Sequence, residues 1–176
     1  MHSLNIHFNQ IKQFPNIHYR IDVSLAHLQE QIDTYVNEHS LDLNPDFQRG
    51  HVWSRYQQIE YMEFLFKNPT SGREIYFNHP NWMSTFKGHF VLVDGKQRLT
   101  AALKFLNNKI PIFNHYKNEW QGMYSFEIGF SFHIAKLKSR KEVLQWYLDF
   151  NSGGTPHSTE EIEKVKKLLE EERNEF

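Results

Sequence analysis

Phe126, Ile128, Phe130, Phe132 and Ile134 alternate with Glu127, Gly129, Ser131 and His133. A strict period of two is the mark of a β-strand in a sheet covered on one face. Such a strand needs neighbours to pair with and a layer to bury its apolar side, so the rest of the chain must supply both. Further strands are predicted at residues 16–23, at 74–78 and at 90–93, where Phe90, Val91, Leu92 and Val93 are apolar on both faces and so belong near the centre of the sheet. Residues 110–113 read as an edge strand, because Pro111 cannot donate to a ladder.

The covering layer is helical. Ser24 is placed to cap a helix carrying Leu25, Leu28, Ile32 and Val36. Ser54 with Gln57 and Ser139 with Glu142 form capping boxes. The first opens a helix to Lys67 that buries Ile59, Met62, Leu65 and Phe66; the second opens one with Val143, Leu144, Tyr147 and Leu148. Between them, Leu99, Ala102, Leu103 and Leu106 describe a helix over residues 96–107. Ser158 with Glu161 starts a charged C-terminal helix, about 158–175, with a narrow stripe of Ile162, Val165, Leu168 and Leu169 and the spaced pairs Glu160/Lys164 and Glu163/Lys167. Strands and helices are mixed in order, so the predicted class is α+β.

No Gly/Ser-rich or Pro-rich linker and no repeat divides the chain, so residues 1–176 are expected to form one domain. With no cysteine, the sequence has no disulfide scaffold, thiolate zinc site or cysteine nucleophile. Its 20 Lys+Arg against 21 Asp+Glu leave a formal charge of -1, which gives no global field to hold nucleic acid. Apolar runs are short and the N-terminus lacks a basic region followed by an apolar stretch, so a soluble, cytoplasmic protein without a membrane partner is expected. The 11 histidines show no metal-site spacing, and there is no Gly-x-Ser-x-Gly elbow.

Three polar segments carry the candidate chemistry. In the first, a buried strand runs through Asp94-Gly95-Lys96-Gln97-Arg98 straight into a helix. A helix N-terminus offers N–H groups and a positive dipole end, and Lys96 and Arg98 add charge, a corner suited to phosphate. Asp94 with Gln97 would equally make a capping box that needs no ligand. It is not a Walker A loop, since Phe90 stands where the first glycine belongs and Gln97 where Ser or Thr is required. The second segment, Asp46-Phe47-Gln48-Arg49-Gly50, offers an amide and a planar guanidinium, or is a turn with Arg49 paired to a carboxylate. The third, Asn151 to His157, is a Gly-rich loop able to approach a ligand, or an ordinary helix stop.

In this order the segments resemble the N-terminal domain of GmrSD-type modification-dependent restriction enzymes, a family grouped by fold with ParB and sulfiredoxin. The resemblance rests on Asn44-Pro45-Asp46-Phe47-Gln48-Arg49 with Val52-Trp53-Ser54, on Val93-Asp94-Gly95-Lys96-Gln97-Arg98-Leu99-Thr100-Ala101, and on Phe150-Asn151-Ser152-Gly153-Gly154-Thr155-Pro156-His157. It spans residues 24–165. It implies a small mixed sheet flanked by helices and a nucleoside triphosphate, with magnesium, bound and hydrolysed at the Asp-Gly-Gln-Gln-Arg motif in a DNA restriction, defence or counter-defence setting. Carried over, the resemblance gives catalytic roles to Asp94, Gln97, Arg98 and Arg49, and nucleotide contact to Gly95, Lys96, Gln48, Asn151, Gly153, Gly154 and Thr155, with no dedicated metal ligands. Arg98 and the helix N–H groups would hold phosphates, Arg49 would stabilise developing charge, and Asp94 would orient a metal or water.

Lys96 replaces the first Gln of that motif, which favours phosphate binding over hydrolysis. Restriction-type members also carry a C-terminal HNH nuclease domain that these 176 residues do not include. The expected partners are therefore a nucleotide, DNA, and a nuclease subunit or a second copy held through the C-terminal helix. Two other readings stay open: a DNA-binding or DNA-nicking module using Arg49, Arg55, Lys96 and Arg98, and a non-enzymatic interaction protein.

Overall fold

A computed structural model describes residues 17–48, 50, 53–67, 70–122, 127–151 and 159–174. Five strands form one mixed sheet in the order β1-β5-β3-β4-β2, where β1 is Ile17–Ser24, β2 Leu41–Asp42, β3 Glu74–Asn78, β4 Phe90–Asp94 and β5 Gly129–Ala135. The β1/β5 and β3/β4 pairs are antiparallel, while β3/β5 and β2/β4 are parallel. Five helices accompany them among the described residues: α1 Leu28–His39, α2 Arg55–Lys67, α3 Lys96–Leu106, α4 Arg140–Asn151 and α5 Thr159–Asn174. The class is α+β.

The alternation of the strands sorts their side chains to two faces. Ile75, Phe77, Phe90, Leu92, Phe130, Phe132 and Ile134 join the main core with Leu28 and Ile32 of α1, Met62 and Leu65 of α2, and Leu99 and Phe105 of α3. Val93 and Ala135 turn the other way, into a second cluster with Val143, Leu144, Trp146 and Tyr147 of α4 and Val165 and Leu169 of α5. The sheet is therefore covered on both sides, not on one as the period-two pattern implies. Ser131, on a "polar" position of β5, is fully buried. Its hydroxyl is bonded on both sides, accepting from Arg20 Nε (2.8 Å) and donating to Asp22 (2.7 Å), which makes burial tolerable.

Several expectations need correction. Ser24 is the last residue of β1 and not a helix cap; His27 precedes α1, and Val36 is 39% exposed. Residues 110–113 add no strand to the sheet; Ile112 and His115 form an isolated bridge while Ile110 and Ile112 point into the core. The Lys164 ammonium reaches the main-chain oxygen of Asp46, and Glu163 pairs with Lys166 at 2.7 Å. Of the α5 stripe, Val165 and Leu169 are buried in the α4 cluster and Leu168 is partly buried there. The capping boxes at Ser54/Gln57 and Ser139/Glu142 form with both of their reciprocal bonds. Ser158 lies outside the described residues.

Candidate functional site

Strand β4 ends at Asp94 and α3 begins at Lys96, with Gly95 alone making the corner at φ +100°. A Cβ at Gly95 would lie 2.6 Å from Ile75 Cδ1 and 3.2 Å from the Glu74 carbonyl oxygen. Both the backbone sign and the approach to β3 thus require glycine. Leu99 N–H makes the first intrahelical bond, to Gly95 O at 2.9 Å. The first-turn N–H groups of α3 consequently face the corner.

The cap of α3 is Gly95 and not Asp94, so the Asp94/Gln97 pair is not the capping box that the sequence suggests. The Asp94 carboxylate instead accepts from Arg98 Nη2, one turn along the helix. Gln97 reaches across to the preceding loop, its Oε1 accepting from Trp53 N–H and its Nε2 donating to Gly50 O, both at 3.2 Å. Gln48 closes the same loop from the other end, its side-chain amide donating to the Leu92 carbonyl of β4. The two glutamines therefore fasten Gln48 to β4 and Gly50 and Trp53 to α3. Arg49, between them in sequence, lies outside the described residues, as do Gly153, Gly154 and Thr155.

Lys96 sits in the first turn on the side of Asp42. Burial lowers its pKa, with the Asp42 carboxylate opposing. Asn151 ends α4, and its amide donates to Tyr147 O at 2.7 Å, inside its own helix. That end of α4 still borders the corner, because Phe150 packs on Tyr76 (4.6 Å between centroids) and Tyr76 stands opposite Asp94 in the β3/β4 register. Arg55 turns elsewhere, donating to Lys109 O at 2.6 Å and Tyr116 Oη at 3.3 Å.

The register exposes what one-dimensional reading missed. Arg20, His133, Tyr76 and Asp94 are successive partners across β1, β5, β3 and β4, forming one row on the α4 side of the sheet. Tyr76 stacks on His133 at 4.8 Å and 16°, and His133 Nε2 meets Glu74 Oε2 at 2.6 Å. Burial raises the Tyr76 pKa, Glu74 and Asp94 adding to the rise while Arg98 and Arg20 oppose it. Burial likewise raises that of Tyr61, again against the Arg98 cation. Tyr61 also stacks at a tilt on Trp53, 5.2 Å away. Arg98 is paired with the Asp94 carboxylate, and its Nε is buried with no acceptor among the described residues. The signal for Tyr76 lay in Glu74–Asn78, where it falls on the opposite face from Ile75 and Phe77.

The corner combines helix N–H groups, two cations, one carboxylate and a loop fixed by side-chain amides. That set can hold an oxyanion and polarise one attached bond. Among the described residues no helix is long and apolar enough to cross a membrane. Comparison with curated proteins and with solved structures gave no match. Residues 29–174 do match the family described as GmrSD restriction endonuclease, N-terminal domain, a span that includes the loop at 44–53, the corner at 94–98 and the end of α4. This chain belongs to the family of GmrSD restriction endonuclease N-terminal domains.

Proposed function

We propose that the domain binds a nucleoside triphosphate at the Asp94–Arg98 corner, hydrolyses it slowly, and does so within a DNA restriction or defence system of the kind its family name describes. The observation that carries this reading is the use of Asp94 and Gln97. Both could have capped α3 locally, yet Asp94 orients Arg98 and Gln97 holds the Gly50–Trp53 loop beside it. With Asp94 paired to Arg98 one turn along the helix and Gln97 bonded to the loop, the corner gathers helix N–H groups and two cations in one place, a set suited to phosphate.

In this mechanism the first-turn N–H groups of α3, Lys96 and Arg98 bind the phosphates. Asp94 keeps the Arg98 fork in one orientation, so charge developing on the transferred phosphoryl group meets a preorganised cation. Gln97 and Gln48 act through the loop that carries Arg49. Among the described residues no group of three or more His, Cys, Asp or Glu gathers to hold a metal ion, and the corner offers the single carboxylate of Asp94. One carboxylate fits magnesium, which is ordinarily held largely by substrate phosphates and water. Bound there, it would neutralise phosphate charge.

Calorimetric titration with ATP, GTP, CTP and UTP, with and without magnesium, tests the reading. Arg98→Ala should weaken binding by about 1.5–3 kcal/mol, the size of a charge-assisted hydrogen bond. Wild-type protein that binds none of the four would return residues 94–98 to a purely structural corner.

A further inference from the structure

The loop that enters the corner is gripped by the C-terminal helix. Asp46 and Phe47 immediately precede Gln48. The Asp46 carboxylate receives Arg140 Nη2 on both oxygens, at 3.0 and 2.9 Å. Arg140 Nε in turn meets Glu172 of α5 at 3.0 Å, so α5, α4 and the loop are joined through one guanidinium. Lys164, two turns earlier on α5, donates to the main-chain oxygen of Asp46 at 2.5 Å. Phe47 is 4% exposed, edge-on to Tyr147 at 5.3 Å, in the same cluster as Val165 and Leu169. The next side chain, Gln48, is bonded to β4.

We infer that α5 is a positioning element of the nucleotide corner, with Lys164 and the Glu172–Arg140–Asp46 chain holding residues 46–47 so that Gln48 keeps its place on β4. The ligand half of this inference rests on the nucleotide reading; the anchoring of the loop does not. The α4 and α5 contacts on the loop fall on Asp46 and Phe47, and α5 reaches Asp46 directly through Lys164 and indirectly through Glu172 and Arg140. Displacing α5 would strip Asp46 O of its ammonium donor and Arg140 of one carboxylate, and would uncover part of Phe47. By linkage, whatever loosens α5 must weaken nucleotide binding, and bound nucleotide must tighten α5 by the same factor.

The test pairs hydrogen exchange over residues 44–50 and 159–174 with titration of ATP, GTP, CTP and UTP in magnesium, on the wild type, Lys164→Ala, Arg140→Ala, Lys164→Arg and Arg98→Ala. Lys164 is exposed, so its variants should fold, which circular dichroism checks. Lys164→Ala and Arg140→Ala should speed exchange at 44–50, leave β5 protected, and weaken nucleotide about three- to tenfold, the range of one exposed contact. Lys164→Arg, which keeps the donor, should restore both. Wild-type protein that binds nucleotide while Lys164→Ala and Arg140→Ala match it in affinity and exchange would overturn the role of α5 and leave the nucleotide reading standing. Wild-type protein that binds no triphosphate would overturn the nucleotide reading and the ligand half of the inference, and unchanged exchange at 44–50 in Lys164→Ala and Arg140→Ala would then overturn the anchoring as well.

Discussion

Helices α2 and α4 begin in one way and helix α3 in another. At Ser54/Gln57 and Ser139/Glu142 each hydroxyl takes the third N–H of its helix, and the partner side chain takes the N–H of the cap, so each start is completed within four residues. At α3 an equivalent pair of groups is present, but the cap is a glycine in the left-handed region and Asp94 and Gln97 face other partners. A helix start completed by its own residues is a structural joint. At α3 the same kinds of groups instead tie β4 to the helix through Asp94 and Arg98, and the loop before α2 to it through Gln97.

The contrast can be broken first at Gly95. Gly95→Ala must adopt φ near +100° and push into Ile75 and the Glu74 carbonyl, so it should destabilise the fold by about 2–4 kcal/mol in chemical denaturation. A loss no larger than that of an ordinary cap would make the corner locally self-sufficient. Gln97→Ala removes two side-chain bonds to the loop and should cost about 1–2 kcal/mol, with faster exchange at Gly50 and Trp53 than at the start of α2. Ser139→Ala should cost about 1 kcal/mol in chemical denaturation, the size of one lost N-cap.

The smallest effect is a pH dependence confined to the α4 start. The Ser139 N–H, then its hydroxyl, hold the Glu142 carboxyl below its ordinary value of 4.5. The unfolded chain therefore takes up this proton first on acidification. Glu142's contribution is fully present above about pH 4.5 and is lost as pH falls through the lower folded value. Acid denaturation of Glu142→Gln should lack that portion of the slope.

Elements whose signal is local were legible in the sequence. Glu74–Asn78 is apolar in alternation, Phe90–Asp94 is a buried run ending at Asp-Gly, and α2 and α4 carry their own caps. Ser24 misled because a serine before a helical apolar period reads as a cap, whereas β1 needs it to pair with Gly129. Phe105 is buried where Leu103 and Leu106 are only partly so, since α3 meets Phe66 and Trp120 from an angle its own period does not fix. Of the candidate site, Asp94, Gly95, Gln97, Arg98 and Gln48 were identifiable by type and come together. Their roles were not legible, because a capping glutamine and a loop-fastening glutamine are the same letter. Tyr61 and Tyr76 required the register and the packing of α2.

The place of β5 between β1 and β3 bears on how the chain acquires its structure. Residues 17–24 and 74–78 both wait for residues 129–135 to reach their ladders, and the contact between Arg20 and Ser131 closes a separation of 111 residues. During synthesis β3, β4 and the helices α2 and α3 that flank them in sequence can associate early, while β1 stays without a neighbour until most of the polypeptide has emerged. Such a high contact order slows assembly far more than it weakens the product. A chain halted before Gly129 would present two unsatisfied strand edges at once, and this is the stage at which the protein should be most prone to aggregate.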